Sequence, residues 1–145
     1  MFFKIIQHTA DLQLEVYGKN LSDLFSNAVI AMFQSIKPEV SGCVYDENGL
    51  LVCEKLPEQQ HVNVQAATKE ELLVNFLSQA LYLSDVHNQA YMAVKINKIT
   101  ETEVDAILFG VQVNSFEEEI KAVTYHDLSV KQKKDKLVAN IIFDV

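Results

Sequence analysis

One stretch limits the fold more than any other. Residues 68–83 read TKEELLVNFLSQALYL. Thr68, Lys69, Glu70 and Glu71 form a capping box, in which the Thr68 hydroxyl and the Glu71 carboxylate satisfy backbone donors at a helix start. The helix that follows, over about Lys69 to Leu83, carries Leu72, Leu73, Val74, Phe76, Leu77, Ala80, Leu81, Tyr82 and Leu83. These residues leave almost no polar side. A helix apolar nearly all round must be buried on more than one side.

The other elements supply the cover. Leu21, Leu24, Phe25, Ala28, Met32 and Ile36 keep helical spacing and predict a first helix over about Leu21 to Ile36, stopped by Pro38. Ile30 and Phe33 add apolar surface on another face. Strand patterns occur over Phe2–Ile6, Leu12–Tyr17, His61–Gln65, Tyr91–Ile99, Val104–Val113, Ile120–Val130 and Leu137–Phe143. Two helices and about seven to nine strands predict an α+β fold, with helices packed between antiparallel or mixed sheets. A chain of 145 residues fits one domain, 1–145.

Cys43 and Cys53 flank VYDENGLLV. With Glu47-Asn48-Gly49 as a three-residue loop and Gly49 left-handed, this is a hairpin that sets Cys43 opposite Cys53. Nothing reads as a secretory signal or a membrane span, so the expected compartment is the cytosol and no membrane partner is expected. In that reducing setting two free thiols are expected. The net charge of −8 argues against strong direct binding of nucleic acid, which needs a cationic surface. The one basic cluster, Lys131–Lys136, reads as a solvated strand-to-strand turn.

Gly-rich phosphate loops, nucleophile elbows and H-E-x-x-H pairs are all missing. Two small clusters remain. His8-Thr9-Ala10-Asp11 interrupts a strand pattern, and Asp144-Val145 closes the sequence. Asp11 can simply form an Asx-turn, and a terminal Asp can simply fray. If the sheet sets Asp11 beside the Asp144 side chain and the Val145 α-carboxylate, three carboxylates converge. Such crowding needs a cation, and an all-oxygen set suits Ca²⁺ or Mg²⁺ rather than zinc. Lys121 reads as a charge protecting an edge strand, and His126 as a partly buried, hydrogen-bonded histidine.

Four stretches in order resemble one family. They are HTADLQLEVYGKNLSDLFSNAVIAMF, VNVQAATKEELLVNFLSQALYL, EEEIKAVTYHDLSV and the terminal ANIIFDV. The chain resembles archease along nearly its whole length. The resemblance implies two helices within β-structure, akin to a domain of a redox-regulated chaperone. It implies an accessory protein, not a catalyst, that promotes guanylylation and turnover of the GTP-dependent tRNA-splicing RNA ligase of the RtcB type. It implies a metal site at Asp11, Asp144 and Val145, supported by His8 and Thr9, for a divalent cation, Ca²⁺ before Mg²⁺ or Mn²⁺. It also implies ligase-activation roles for Lys121 and His126. The chain departs from the family pattern at Gln13, at Gly110-Val111 with the loop leading to Glu117, and at Leu137. Two other classes stay in view: a metal-dependent phosphohydrolase using His8, Asp11 and Asp144, and a general holdase chaperone.

Overall fold

The structure is a computed structural model that describes residues 2–8 and 11–145, with the side chains of Gln7 and His8 outside the description. Thr9 therefore lies outside the described residues, as does the His8 side chain.

Chain order runs β1 (Phe3–His8), β2 (Asp11–Gly18), α1 (Leu21–Ser35), β3 (Pro38–Glu39), β4 (Cys43–Tyr45), β5 (Leu51–Cys53) and β6 (Glu58–Gln65). It continues through α2 (Lys69–His87), β7 (Gln89–Ile99), β8 (Glu103–Gln112), β9 (Ser115–Phe116), β10 (Ala122–Lys133) and β11 (Lys136–Asp144). Two larger sheets enclose the helices. One is ordered β1-β2-β11-β10 and the other β6-β8-β7. Every described strand pair is antiparallel. Helix α1 packs on β2 from one side and β7 from the other, and α2 lies between β10 and the β6–β8 layer. The expected layering of helices between sheets is what is seen.

Sequence explains where the helices start. Asn20 caps α1 by accepting from the Asp23 N–H at 2.9 Å, while Asp23 accepts from the Lys19 N–H at 2.9 Å. Thr68 Oγ1 accepts from the Glu71 N–H at 3.1 Å at the start of α2. Helix α2 runs four residues past Leu83 and stops where Asn88 turns left-handed. Its burial is also less complete than the apolar run suggests. Leu72, Leu73, Phe76, Leu77 and Ala80 are fully enclosed, but Tyr82 and Val86 are exposed. In the last turns one side of α2 faces an open cavity beside residues 116–123 instead of a sheet.

The core is a contiguous cluster contributed by both helices and both sheets, including Leu12, Leu14, Phe25, Phe33, Phe76, Tyr91, Leu108 and Phe143. Truncating a buried ring such as Phe76 would cost about 3–5 kcal/mol. Gly110 has no room for a side chain, because a Cβ there would lie 2.1 Å from the Ala90 carbonyl oxygen. Among the described residues, no helix is long and apolar enough to cross a membrane.

The hairpin of β4 and β5 has the expected register, Cys43 opposite Cys53. Asp46 Oδ1 accepts from the N–H groups of Asn48 and Leu50, and Gly49 is left-handed at φ 78°. The expected free thiols are not what is found: Cys43 and Cys53 are bonded to each other. The same register that faces them across the ladder brings their sulfurs together. Within Lys131–Lys136 only Lys134-Asp135 form the turn, between β10 and β11; Lys131–Lys133 and Lys136 belong to the two strands.

Candidate functional site

Strand β2 begins at Asp11 and β11 ends on Asp144, and the antiparallel register pairs these two residues. Hydrophobic alternation sets which way they face. Leu12, Leu14 and Val16 on β2, with Ile141 and Phe143 on β11, are buried against the helices. Asp11 and Asp144 fall on the opposite, exposed face of the sheet. Directly opposed residues of an antiparallel pair have Cβ atoms about 4.5–5.5 Å apart, and like charges in that position repel by roughly 0.2–1 kcal/mol. The next residue, Val145, is half-buried and packs against the core. That anchors the main chain at the sheet end beside the two carboxylates.

Lys121 arrives from the other side. Its N–H donates to the Asp144 carbonyl oxygen at 2.7 Å, and Ala122 pairs with Asp144. The expectation that Lys121 sits within an edge strand needs correcting, since β10 begins only at Ala122. Its side chain is exposed and lines a cavity of about 310 Å³ with Ile36, Leu81, Tyr82, Asp85 and Phe116.

His126 differs more from expectation. It is not partly buried: its side chain is 77% exposed and pairs with Asp127 at 3.2 Å. The cause is a bulge. Between the pairs Thr124–Ile142 and Ser129–Asn140 the register slips, and Asp127 adopts φ 52°. Tyr125 in the same bulge donates to Asn75 Oδ1 of α2 at 3.4 Å. His126 therefore stands opposite the middle of β11, set back from Asp144. The structure brings Asp11, Asp144, Val145 and the Lys121 backbone to one sheet end and leaves His126 outside that group.

The donor set can be compared with the needs of a metal. Among the described residues, no three His, Cys, Asp or Glu side chains are grouped as a metal-binding set. Asp11 and Asp144 supply two side-chain carboxylates, so a bound ion would complete its shell with main-chain oxygen and water. Such an all-oxygen, partly hydrated set fits a hard cation.

A second carboxylate cluster is one that sequence motifs do not announce. On the outer face of the β6-β8-β7 sheet, Asp105 accepts from Asn63 Nδ2 at 2.9 Å and Asn97 Nδ2 at 3.0 Å, and bonds His61 Nε2 at 2.9 Å. The Asn63 amide above all, then Asn97 and His61, hold its carboxyl down to about 2. Glu103 beside it is also lowered, chiefly by Lys98 at 3.0 Å. Period-two polar residues on adjacent strands were the available signal, but only the cross-strand register shows that they meet.

A model of the Archease protein family matches residues 3–145. The chain belongs to the archease family. Protein archease of Methanosarcina acetivorans is 32% identical over 151 residues, spanning 99% of this chain and 95% of that relative. Protein archease of Thermoplasma acidophilum is 32% identical over 146 residues, spanning 99% and 93%. The fold agrees with a solution structure from Methanobacterium thermoautotrophicum, with TM-score 0.71, 23% identity and 99% of each chain covered. It also agrees with the crystal structure of a Thermotoga maritima archease, described as a possible chaperone, with TM-score 0.62, 22% identity and 98% and 96% covered.

Proposed function

We propose that this archease is a cation-dependent activator of a tRNA-splicing RNA ligase in the cytosol, and not itself a catalyst. The observation that carries the reading is the pairing of Asp11 with Asp144 at one sheet end, in a chain of this family. Two opposed carboxylates are unfavourable alone and become favourable around a cation. In this reading Asp11, Asp144 and Val145 would hold Ca²⁺, or Mg²⁺ or Mn²⁺ in its place. The family resemblance gives His8 and Thr9 a supporting part at this site. A cation there would neutralise the Asp11 and Asp144 carboxylates, and the Asp144 carbonyl, by accepting from the Lys121 N–H at 2.7 Å, ties the Lys121 backbone to the same sheet end. The Lys121 side chain, which lines the cavity next to α2, supplies a cation for phosphate at the ligase's nucleotide-transfer centre. His126 has a weaker claim to a part in activation because it is set back along β11.

The test is multiple-turnover RNA ligation by the cognate ligase, with and without this protein, with divalent cation or chelator. The expected result is raised turnover that chelation or Asp11→Ala removes. Unchanged turnover under every cation would overturn the reading, and metal-dependent phosphate release by the protein alone would favour the phosphohydrolase instead.

A further inference from the structure

The β4–β5 hairpin is bolted to the body at defined points. Gln34, buried in α1, donates from Nε2 to the Leu51 carbonyl at 3.0 Å and accepts from the Leu51 N–H at 2.8 Å. The Tyr45 hydroxyl donates to the Pro38 carbonyl, and Lys37 Nζ donates to the Gly49 carbonyl at 3.3 Å. The strands are only three residues each, too short to hold together unaided. Their outward pair, Val44 and Val52, is 67% and 49% exposed. The Cys43–Cys53 bond closes the base of this short ladder.

What the hairpin grips is not isolated. Pro38 and Glu39 form β3, which pairs with Phe116 and Ser115 of β9. The Asn114 N–H donates to the Glu39 carbonyl at 2.8 Å, the Glu117 N–H to the Lys37 carbonyl at 3.1 Å, and the Glu118 N–H to the Ile36 carbonyl at 3.3 Å. Three residues further on, the Lys121 N–H holds Asp144. The hairpin thus supports the short ladder from which the 117–121 segment departs. A cavity of about 440 Å³, lined by Gly42, Cys43, Glu54 and Lys55 among others, opens beside Cys43.

We infer that the Cys43–Cys53 pair is a reversible thiol–disulfide exchange site whose state sets how firmly the hairpin and, through β3 and β9, the 114–121 segment are held. The co-reactant is a dithiol reductant. One of its thiolates enters the cavity and attacks Cys43 Sγ, forming a mixed disulfide as the Cys43–Cys53 bond breaks. The Cys53 thiolate leaves and takes up a proton. The second thiolate of the reductant then attacks the reductant's own sulfur in the mixed disulfide. Cys43 is released and protonated, the reductant becomes a disulfide, and two electrons have passed to the protein. Reduction leaves the Gln34 clamp in place, so the hairpin loosens locally and the core stays folded.

Hydrogen exchange followed by mass spectrometry on the full chain, with the thiol state fixed by alkylation, tests this without cation or ligase. On adding dithiothreitol, amides of residues 43–53 are expected to exchange about tenfold faster and those of 114–121 to follow by a smaller factor, with β6–β8 unchanged. Removal of reductant in a thiol–disulfide buffer should restore protection. The double variant Cys43→Ser, Cys53→Ser should match the reduced chain without any reductant. Three results would overturn the inference: thiols that stay fully alkylatable at every buffer ratio, a 114–121 segment whose exchange ignores the thiol state, or a double variant that behaves like the oxidised chain.

Discussion

Two sheets of this molecule each carry carboxylates on an outer face, and they treat them in opposite ways. Asp105, on the central strand of the three-stranded sheet, is surrounded by donors from both neighbouring strands: Asn63 and His61 on β6, Asn97 on β7. Asp11 and Asp144 face each other across β2 and β11. Among the described residues neither side chain has a hydrogen-bonding or ionic partner. A carboxylate supplied with amide donors is electrostatically complete and its low pKa records that. A pair of carboxylates set opposite one another, with no such donors, is incomplete in itself. The first arrangement locks register; the second suits an ion arriving from outside.

The contrast can be broken most severely through function. Asp144→Asn should return ligase turnover to the unstimulated level, whereas Asp105→Asn should leave stimulation intact; parallel multiple-turnover assays decide. The next effect is on stability with cation present. At a Ca²⁺ concentration one hundred times the dissociation constant, the unmutated protein should gain about 2.7 kcal/mol. Asp11→Asn should lose most of that gain, as read from thermal unfolding.

The sign should reverse without cation. Relieving the opposed charges by Asp11→Asn should then raise stability by roughly 0.2–1 kcal/mol in urea unfolding under chelator. A loss of stability would mean that the pair is already neutralised by something in the fold.

The smallest effect concerns Asp105. Asn63→Ala should raise its pKa from about 2 towards the ordinary 3.8, followed by carboxyl NMR titration. The folded value lies below the unfolded one. Its stabilising contribution is therefore present above about pH 3.8 and is lost as pH falls through about 2. In the variant that acid-labile contribution should shrink.

Local patterns made much of the fold legible. Apolar spacing indicates both helices, the capping box marks the start of the second, and Glu47-Asn48-Gly49 marks a hairpin whose register holds. Contacts between distant segments were less accessible. That Asp144 pairs with Asp11 requires β11 to lie beside β2, and the sequence offers only two strand patterns far apart; the resemblance to archease, not periodicity, brought those residues together. The two-residue ladder of β3 and β9 is too short to leave a period. His126 looked like a strand residue in an apolar run, but the bulge at Asp127 turns it outward. The disulfide departs from expectation for a different reason: the hairpin geometry allows it, and the expectation of free thiols rests on a reducing compartment, not on that geometry.

The central claim is that Asp11 and Asp144 together form a cation site. Calorimetric titration of Ca²⁺ into the chelator-stripped protein, repeated with Asp11→Asn and Asp144→Asn, tests it most directly. The account predicts one saturable site in the unmutated chain and, in each variant, affinity weaker by at least about tenfold, or about 1.4 kcal/mol. Saturable binding of equal affinity in all three proteins, or none in any, would contradict it.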